Sequence, residues 1–185
     1  MADEHLIIQL GMAELREITT YAVACAEPAA VIFERDCGDD ARPRDALEEA
    51  RRFAAGGNRT QTLRVTALAA HRAARAARET GREAAADAAR ATGHTAASAY
   101  LHPLANSHQV LHILGSAVHA ARAIELDAGD DRSVGVDYIK KAIALANPVV
   151  VSVLARYPNA PSGRGRVGEL LGELDTSLRR VPTDV

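Results

Sequence analysis

The chain has 185 residues, of which 48% are hydrophobic and only 3% aromatic, and its formal net charge is -2. This length suits one domain, and the near-neutral charge gives the whole molecule no attraction to nucleic acid or to an anionic membrane. No stretch approaches the roughly 18 apolar residues that a membrane-spanning helix needs. The opening MADEHLIIQL has no basic segment followed by a long apolar run, and the cysteines are Cys25 and Cys37. We therefore expect a cytoplasmic protein with reduced thiols.

The first elements are set by helical spacing and by residues that break helices. Apolar residues recur at helical spacing over residues 12–34, where Pro28 predicts a kink or two shorter helices because proline removes a backbone donor. Residues 36–43 are rich in Gly and Asp and predict a loop. A short helix follows over Arg44–Ala55, and Gly56-Gly57 ends it.

Two alanine-rich helices are predicted next, over residues 60–79 and 82–101. In the first helix, the inward stripe includes His71. In the second, alanine lies nearly all round the helix, so periodicity does not identify the buried face. Gly93 in its middle costs about 1 kcal/mol relative to alanine, which predicts that another backbone approaches closely there. His102 precedes a proline and is therefore pushed out of the helical region, which ends the helix.

The stretch Asn106–Gly129 predicts a helix with two unlike sides. The apolar side, which we expect to face the core, consists of Val110, Leu114, Ala117, Ala121 and Ile124. The opposite side carries His108, His112 and His119, which fall within roughly 40° of one another on the helical wheel. We interpret these three histidines as an outward-facing row.

Three further helices are predicted over residues 135–146, over 148–156 and from 162 onwards, and no stretch predicts a strand. The expected fold is therefore all-α. We expect a single compact helical domain over residues 1–185, with seven to eight helices in an alanine-rich orthogonal or bundle-like array. Residues 1–11 and 182–185 are expected to be loose ends.

The histidines of the row allow several interpretations. His108 and His112 are four residues apart, close enough on a helix to share a divalent metal such as zinc. No established metal-binding motif accompanies them, and His119 lies about 10 Å further along the helix axis. The alternatives are a row that faces a partner or forms hydrogen bonds, and ordinary surface histidines. His71 and His94 are interpreted as core histidines rather than ligands.

A short pattern also recurs along the chain. His71, His94 and His119 are each followed by an alanine pair and by small or arginine residues. In so alanine-rich a chain, chance recurrence is the favoured interpretation. The alternative is that three packed helices each direct a histidine into a common space.

Other chemistry is sparse. No phosphate-binding loop, dinucleotide fingerprint or nucleophile elbow is present. An arginine cluster would suit an acidic partner, and the alternative is a solvated face with Glu48 and Glu49 as counter-charges. The cluster consists of Arg42, Arg44, Arg51, Arg52 and Arg59.

Three segments carry a family resemblance: Asp40–Arg51, Ala67–Arg75 and Ala88–Ala96. They resemble the immunity proteins of bacterial polymorphic-toxin systems, in the fifth-group-like branch, whose members are sometimes labelled exonuclease subunits. The similarity extends over about Met12 to Arg180, and Asp-x-Arg-Pro-Arg is its most specific part. It implies a small helical protein that binds and neutralises a toxin domain. The family defines no catalytic residue.

Two classes of function therefore remain. The first is an interaction protein of the immunity type, without a cofactor and without a nucleic-acid or membrane partner, for which a homodimer is left open. The second is a small helical metal-dependent enzyme, or a small-molecule-binding protein, that uses a histidine cluster. The lack of an acid/base carboxylate near the histidines favours the first class. The candidate binding residues are His71, His94, His102, His108, His112, His119, Arg42, Arg44 and Arg75.

Overall fold

A computed structural model describes residues 7–182, and this part of the chain folds into eight α-helices and one 3₁₀ turn. The α-helices are α1 (Met12–Asp36), α2 (Arg42–Ala54), α3 (Gln61–Glu79), α4 (Glu83–Ser98), α5 (Val110–Asp127), α6 (Arg132–Leu145), α7 (Pro148–Ala155) and α8 (Gly165–Leu178). The 3₁₀ turn, Ser107–Gln109, leads into α5. Within residues 7–182, the one strand-like feature is an isolated bridge between Ile7 and Leu104. The predicted all-α domain is confirmed.

The central helix is α4, which packs against α1, α2, α3 and α5. Its buried residues lie on every side, from Ala85 to Ser98, and most of them are alanines. Small side chains let neighbouring helix axes approach closely, so one helix can be surrounded by four others. This explains why its sequence shows no preferred face.

A layer of small hydroxyl side chains joins α1, α4 and α5. The hydroxyl oxygens of Thr95 and Ser116 lie 2.9 Å apart, and Ser116 donates to the carbonyl oxygen of Ala22 at 2.7 Å. Ser98 donates to the hydroxyl of Thr19 at 2.9 Å. Each of these buried hydroxyls therefore has a partner, which removes most of the cost of placing polar groups between closely packed helices.

A buried carboxylate connects α5 to α6 and α8. The side chain of Glu125 is fully buried and accepts hydrogen bonds from Arg166 at 3.0 and 2.7 Å and from Arg122. Gly135 on α6 lies against this carboxylate, because a Cβ at that position would fall 2.0 Å from Oε2. Two arginines and one glycine thus accommodate a charge in the interior.

Of the two outcomes predicted at Pro28, a kink or two shorter helices, the division into two helices is wrong. Helix α1 is continuous from Met12 to Asp36. Pro28 itself is exposed, whereas Ala26 and Ala29 beside it are fully buried. Proline removes only one helical hydrogen bond, and burial on both sides of it keeps the two halves in one helix.

The chain entering α1 is attached to the domain, contrary to the predicted loose end at 1–11. The amide of Ile8 donates to the carbonyl oxygen of Pro103 at 2.7 Å, and the Ile8 side chain is buried. Arg156 donates to the carbonyl oxygen of Gln9 at 2.8 Å. Residues 1–6 and 183–185 of the predicted loose ends lie outside the described residues.

Between residues 7 and 182, no single helix combines the length and the apolar character of a membrane span. Helices α6 and α7 reach both only when they are taken together, and the chain bends by 100° between them.

Candidate functional site

Three consecutive α-helices each contribute one histidine to a contiguous array. His71 on α3 contacts His94 on α4 edge to face, with ring centroids 5.1 Å apart and an interplanar angle of 82°. His94 stacks on His119 of α5, again at 5.1 Å, with an interplanar angle of 8°. His94 therefore lies between the other two rings. With Asp87, these residues form what we call the histidine array.

The array ends at the carboxylate of Asp87. Nδ1 of His119 lies 2.7 Å from Oδ1 of Asp87, whose side chain is only 4% exposed. Burial acts to raise the pKa of Asp87, but the hydrogen bond from His119 and the charges of His119, Arg90 and Arg78 outweigh it and lower the pKa. The carboxylate therefore stays ionised, and it orients His119 with Nδ1 as the donor.

Two glycines make room for the imidazole rings. A Cβ on Gly93 would lie 2.9 Å from Nε2 of His71, and a Cβ on Gly115 would lie 2.7 Å from Nδ1 of His94. Both glycines lie within helices, where glycine is unfavourable by about 1 kcal/mol relative to alanine. The sequence predicts that Gly93 admits a neighbouring backbone; instead it admits a side chain.

Burial controls the charge of these imidazoles. It lowers the pKa of His71 and His112, and it lowers the pKa of His94 well below its ordinary value. The charges of His119 and Arg90 lower the pKa of His71 and His94 further. At neutral pH these three side chains are therefore uncharged, and His71 and His94 can pack against each other as polar but neutral rings.

The other three histidines lie outside the array. His112 is half-buried, and its Nδ1 donates to the carbonyl oxygen of Ala97 on α4 at 3.0 Å. His102 and His108 are exposed, in the connection between α4 and α5. Nδ1 of His108 lies 3.2 Å from Oδ1 of Asn106, and Nδ1 of His102 accepts from the amide of Leu104 at 3.2 Å.

The outward row predicted for His108, His112 and His119 is wrong. The side of α5 that carries His112 and His119 packs against α4, and the His119 side chain is only 12% exposed. Small residues between these histidines, Gly115 and Ser116, let α4 approach this side. His108 lies in the 3₁₀ turn before α5, not on the helix itself. The apolar side of α5 is buried as predicted except at Ile124, which is half-buried, so this helix has two largely buried sides.

The sequence attributes the recurring histidine pattern either to chance or to three packed helices that direct histidines into a common space. The structure agrees with the second interpretation. His71, His94 and His119 do come from three packed helices and do share a common space. Among residues 7–182, no group of three or more His, Cys, Asp and Glu side chains has the geometry to hold a metal ion. The predicted metal pair, His108 and His112, forms hydrogen bonds to separate acceptors.

A groove of about 310 Å³ opens where the array reaches the surface of the domain. The residues that line it are Arg64, Ala67, Leu68, His71, Ala97, Tyr100 and His112. At its rim, the guanidinium carbons of Arg64 and Arg59 lie 4.3 and 5.3 Å from the centroid of the Tyr100 ring. Tyr100 also donates to the carbonyl oxygen of Thr60 at 2.6 Å. The rim is therefore ordered, basic and partly aromatic.

The outer face of α3 continues from this groove and mixes basic with aliphatic side chains. This α3 face consists of Arg64, Val65, Leu68, Arg72 and Arg75, all of them exposed. Among the described residues, no carboxylate lies within 4 Å of its three arginines, whereas Arg78 at the end of the helix pairs with Glu83 and Asp87. Leu68 is 60% exposed, and Val65 is more than half exposed. Such a combination is typical of recognition surfaces.

Most of the arginine cluster predicted on and around α2 is paired within the molecule. Arg42 contacts Asp40 at 2.6 Å, Arg51 contacts Glu27 at 2.8 Å, and Arg52 pairs with the glutamates one turn before it. Arg44 is exposed, with no described carboxylate within 4 Å. Of the arginines predicted to bind, Arg75 is the one that lies on the α3 face.

Sequence reasoning assigns no functional role to six residues of this region: Asp87, Tyr100 and, on the α3 face, Arg64, Val65, Leu68 and Arg72. Asp87 carries a signal, because it is an acidic residue in the middle of a run of alanines. Leu68 carries one as well, because it falls outside the inward apolar stripe of its helix. For Tyr100 the sequence gives no such signal, because a tyrosine at the end of a helix is common and does not indicate a particular function.

Comparison with known proteins identifies the class of this chain. The family model described as Imm-5 like putative immunity protein matches residues 9–149, which is 141 of 185 residues. The chain therefore belongs to this immunity protein family, as the resemblance implied. The matched stretch contains the histidine array, the groove and the α3 face. Family membership supports an immunity role and a protein partner in general. No curated protein and no solved structure matches the chain.

Proposed function

We propose that this protein binds a bacterial toxin domain and neutralises it by forming a complex with it. The observation that carries the proposal is the family match, which covers helices α1 to α6 and everything described above as the candidate site. The two free cysteines of this protein, Cys25 and Cys37, suit action in the cytoplasm, where thiols stay reduced.

The form of the site supports binding more than turnover. His94 is enclosed between two other imidazoles, and His119 is directed at Asp87, so these rings serve one another as packing and hydrogen-bonding partners. The exposed residues beside them are arginines and aliphatic side chains. A rigid body with such a surface suits recognition of another protein, because little order has to be gained on binding.

The test is to identify the partner and then to measure its toxicity. The tagged chain is expressed in its native host, bound proteins are cross-linked and identified by mass spectrometry, and each identified partner is placed under an inducible promoter in a second bacterial host. We expect induction of the partner to stop growth, and co-expression of this chain to restore it. A partner that does not impair growth, or growth that stays arrested despite expression of the chain, would contradict the proposal.

A further inference from the structure

The α3 face and the groove beside it have the properties of one docking surface. We infer that they bind an acidic segment of the toxin, with one apolar side chain of that segment in the groove and carboxylates against the arginines around it. This inference rests on the proposed function and specifies where and how the partner is held.

The charge of α3 favours an acidic partner. This helix carries four arginines and a single glutamate, whereas the whole chain has a net charge of -2. The basic character is therefore local. Of these arginines, Arg64, Arg72 and Arg75 are exposed, with no carboxylate among the described residues within 4 Å. Arginines without counter-charges attract a partner of opposite charge and fix its orientation by bidentate hydrogen bonds to carboxylates.

The apolar residues of the same surface favour an apolar side chain on that partner. Leu68 lies at the rim of the groove with 60% of its surface exposed, and Ala67 and Ala97 form part of the groove wall. His71 and His112 face the same space, and burial lowers the pKa of both, so they line it as neutral rings. Arg64 is the one charged residue among those that line the groove, and the rest of the wall of this space of about 310 Å³ suits an aliphatic or aromatic side chain.

The groove is also preorganised. His71 belongs both to its wall and to the histidine array, and His94 behind it is held in turn by the stack on His119. On the other side, Arg59 and Arg64 both lie over Tyr100. Because these walls are fixed before a partner arrives, binding does not have to order them.

The same observations favour a protein over a nucleic acid. The ring of Tyr100 is covered by two guanidinium groups, which leaves it poorly placed for stacking on a base. Val65 and Leu68 are exposed among the arginines. A nucleic acid whose phosphates contact the arginines would make no apolar contact with these two side chains. An acidic protein segment with an apolar residue uses both kinds of side chain.

The experiment uses the full chain and the toxin domain whose neutralisation by the wild-type chain has been established. Leu68→Glu and Arg64→Glu are compared with Val31→Glu on α1, which is a matched control because Val31 is also 60% exposed. All three positions are at the surface, and circular dichroism and thermal unfolding verify the fold of each variant. We expect the Kd to rise at least about 30-fold in the two α3 variants and to stay unchanged in Val31→Glu.

The outcomes separate this inference from the proposed function. If the wild-type chain neutralises the toxin and both α3 variants bind as the wild type does, the docking surface is wrong while the immunity function stands. If the wild-type chain does not neutralise, the proposed function itself fails. Two further results would overturn the inference: a dimer of the free chain that Leu68→Glu dissociates, and binding of a short single-stranded DNA that Arg64→Glu abolishes. Salt should weaken binding, and the Kd of Arg72→Gln should rise less with salt than the Kd of the wild type. This result would support the inference.

Discussion

Gly115 lies directly against the imidazole of His94, since a Cβ at this position would fall 2.7 Å from Nδ1 and 2.8 Å from Cγ. Gly93 has the same relationship to His71, but there the close atoms are Cε1 and Nε2, at the far end of the ring. The two contacts therefore differ in how easily a substitution can be accommodated. His94 is held between two rings, whereas His71 lines an open groove.

Gly115→Ala is expected to lower the free energy of unfolding by about 1–3 kcal/mol, because the added methyl group overpacks a ring that is held between two others. Gly93→Ala is expected to cost less, since the groove beside His71 leaves space for a small shift of its imidazole. Gly172→Ala in α8 is the control: a Cβ added there would meet nothing within 4 Å, so alanine should gain about 0.5–1 kcal/mol. Urea denaturation measures all three. Equal stability of Gly115→Ala and Gly172→Ala would contradict the packing of Gly115 against His94.

Stability is expected to decrease in mild acid. Burial lowers the pKa of His71, His94 and His112, so these groups stay neutral in the folded protein at pH values where the unfolded chain takes up protons. Their contribution to the free energy of unfolding is fully present above a pH of about 6.5, and it is lost as the pH falls from there towards the lowered pKa values of the folded protein. Each group loses up to about 1.4 kcal/mol per pH unit in this range.

Urea midpoints at about pH 7.5 and about pH 5.5 measure this dependence around the ordinary pKa of histidine. His94→Leu should show a smaller loss between the two values than the wild type, because one buried imidazole has been removed. His108→Gln is the control, since His108 is exposed and outside the array. If His94→Leu loses as much stability as the wild type, the array does not cause the effect.

The hydrogen bond between Asp87 and His119 should determine which nitrogen of His119 carries the proton. Asp87→Ala leaves the buried Nδ1–H without its acceptor, which should cost about 1–3 kcal/mol. Asp87→Asn retains an acceptor oxygen and should cost less. Nitrogen-15 NMR of the imidazoles distinguishes the tautomers: the wild type should show protonated Nδ1, and Asp87→Ala a mixture. An unchanged tautomer in Asp87→Ala would show that the carboxylate does not orient the ring.

The buried carboxylate of Glu125 gives a prediction about α8. Arg166→Met removes a guanidinium that donates to both carboxylate oxygens of Glu125. The buried charge is left with fewer partners, at a cost of about 3–5 kcal/mol. Arg132→Met removes an exposed arginine paired with exposed Glu169 and should cost less than about 1 kcal/mol. Chemical denaturation of the two variants side by side tests the difference, and similar losses in both would contradict it.

The helices can be predicted where apolar spacing and helix-breaking residues agree. Most helix ends lie close to those expected, because Gly56 follows the end of α2 and Asn147-Pro148 begins α7 through local backbone effects. Helix α4 is an exception, since it ends at Ser98 and not at the Leu101 expected from His102-Pro103. The orientation of α4 cannot be predicted in this way. A helix whose side chains are nearly all small shows no apolar stripe, and here the reason is that it is buried on every side.

The members of the candidate site can be predicted from the sequence, but their arrangement cannot. His71, His94 and His119 are recognisable, but the row on α5 is expected to face solvent because a polar residue opposite an apolar stripe usually does. That rule fails for a helix with two buried sides. Gly115 and Ser116 are small enough to let α4 cover the second side of α5. The groove cannot be found from one helix at a time, since α3, α4 and α5 all contribute to it.

The most direct measurement of neutralisation is a titration of the purified toxin domain with this chain, followed through the toxin's own activity. If the chain acts by forming a complex, activity falls in proportion to the chain added and is abolished near one equivalent. The complex should then also be isolated with both proteins intact. Activity that persists at a large excess of correctly folded chain would contradict neutralisation by binding.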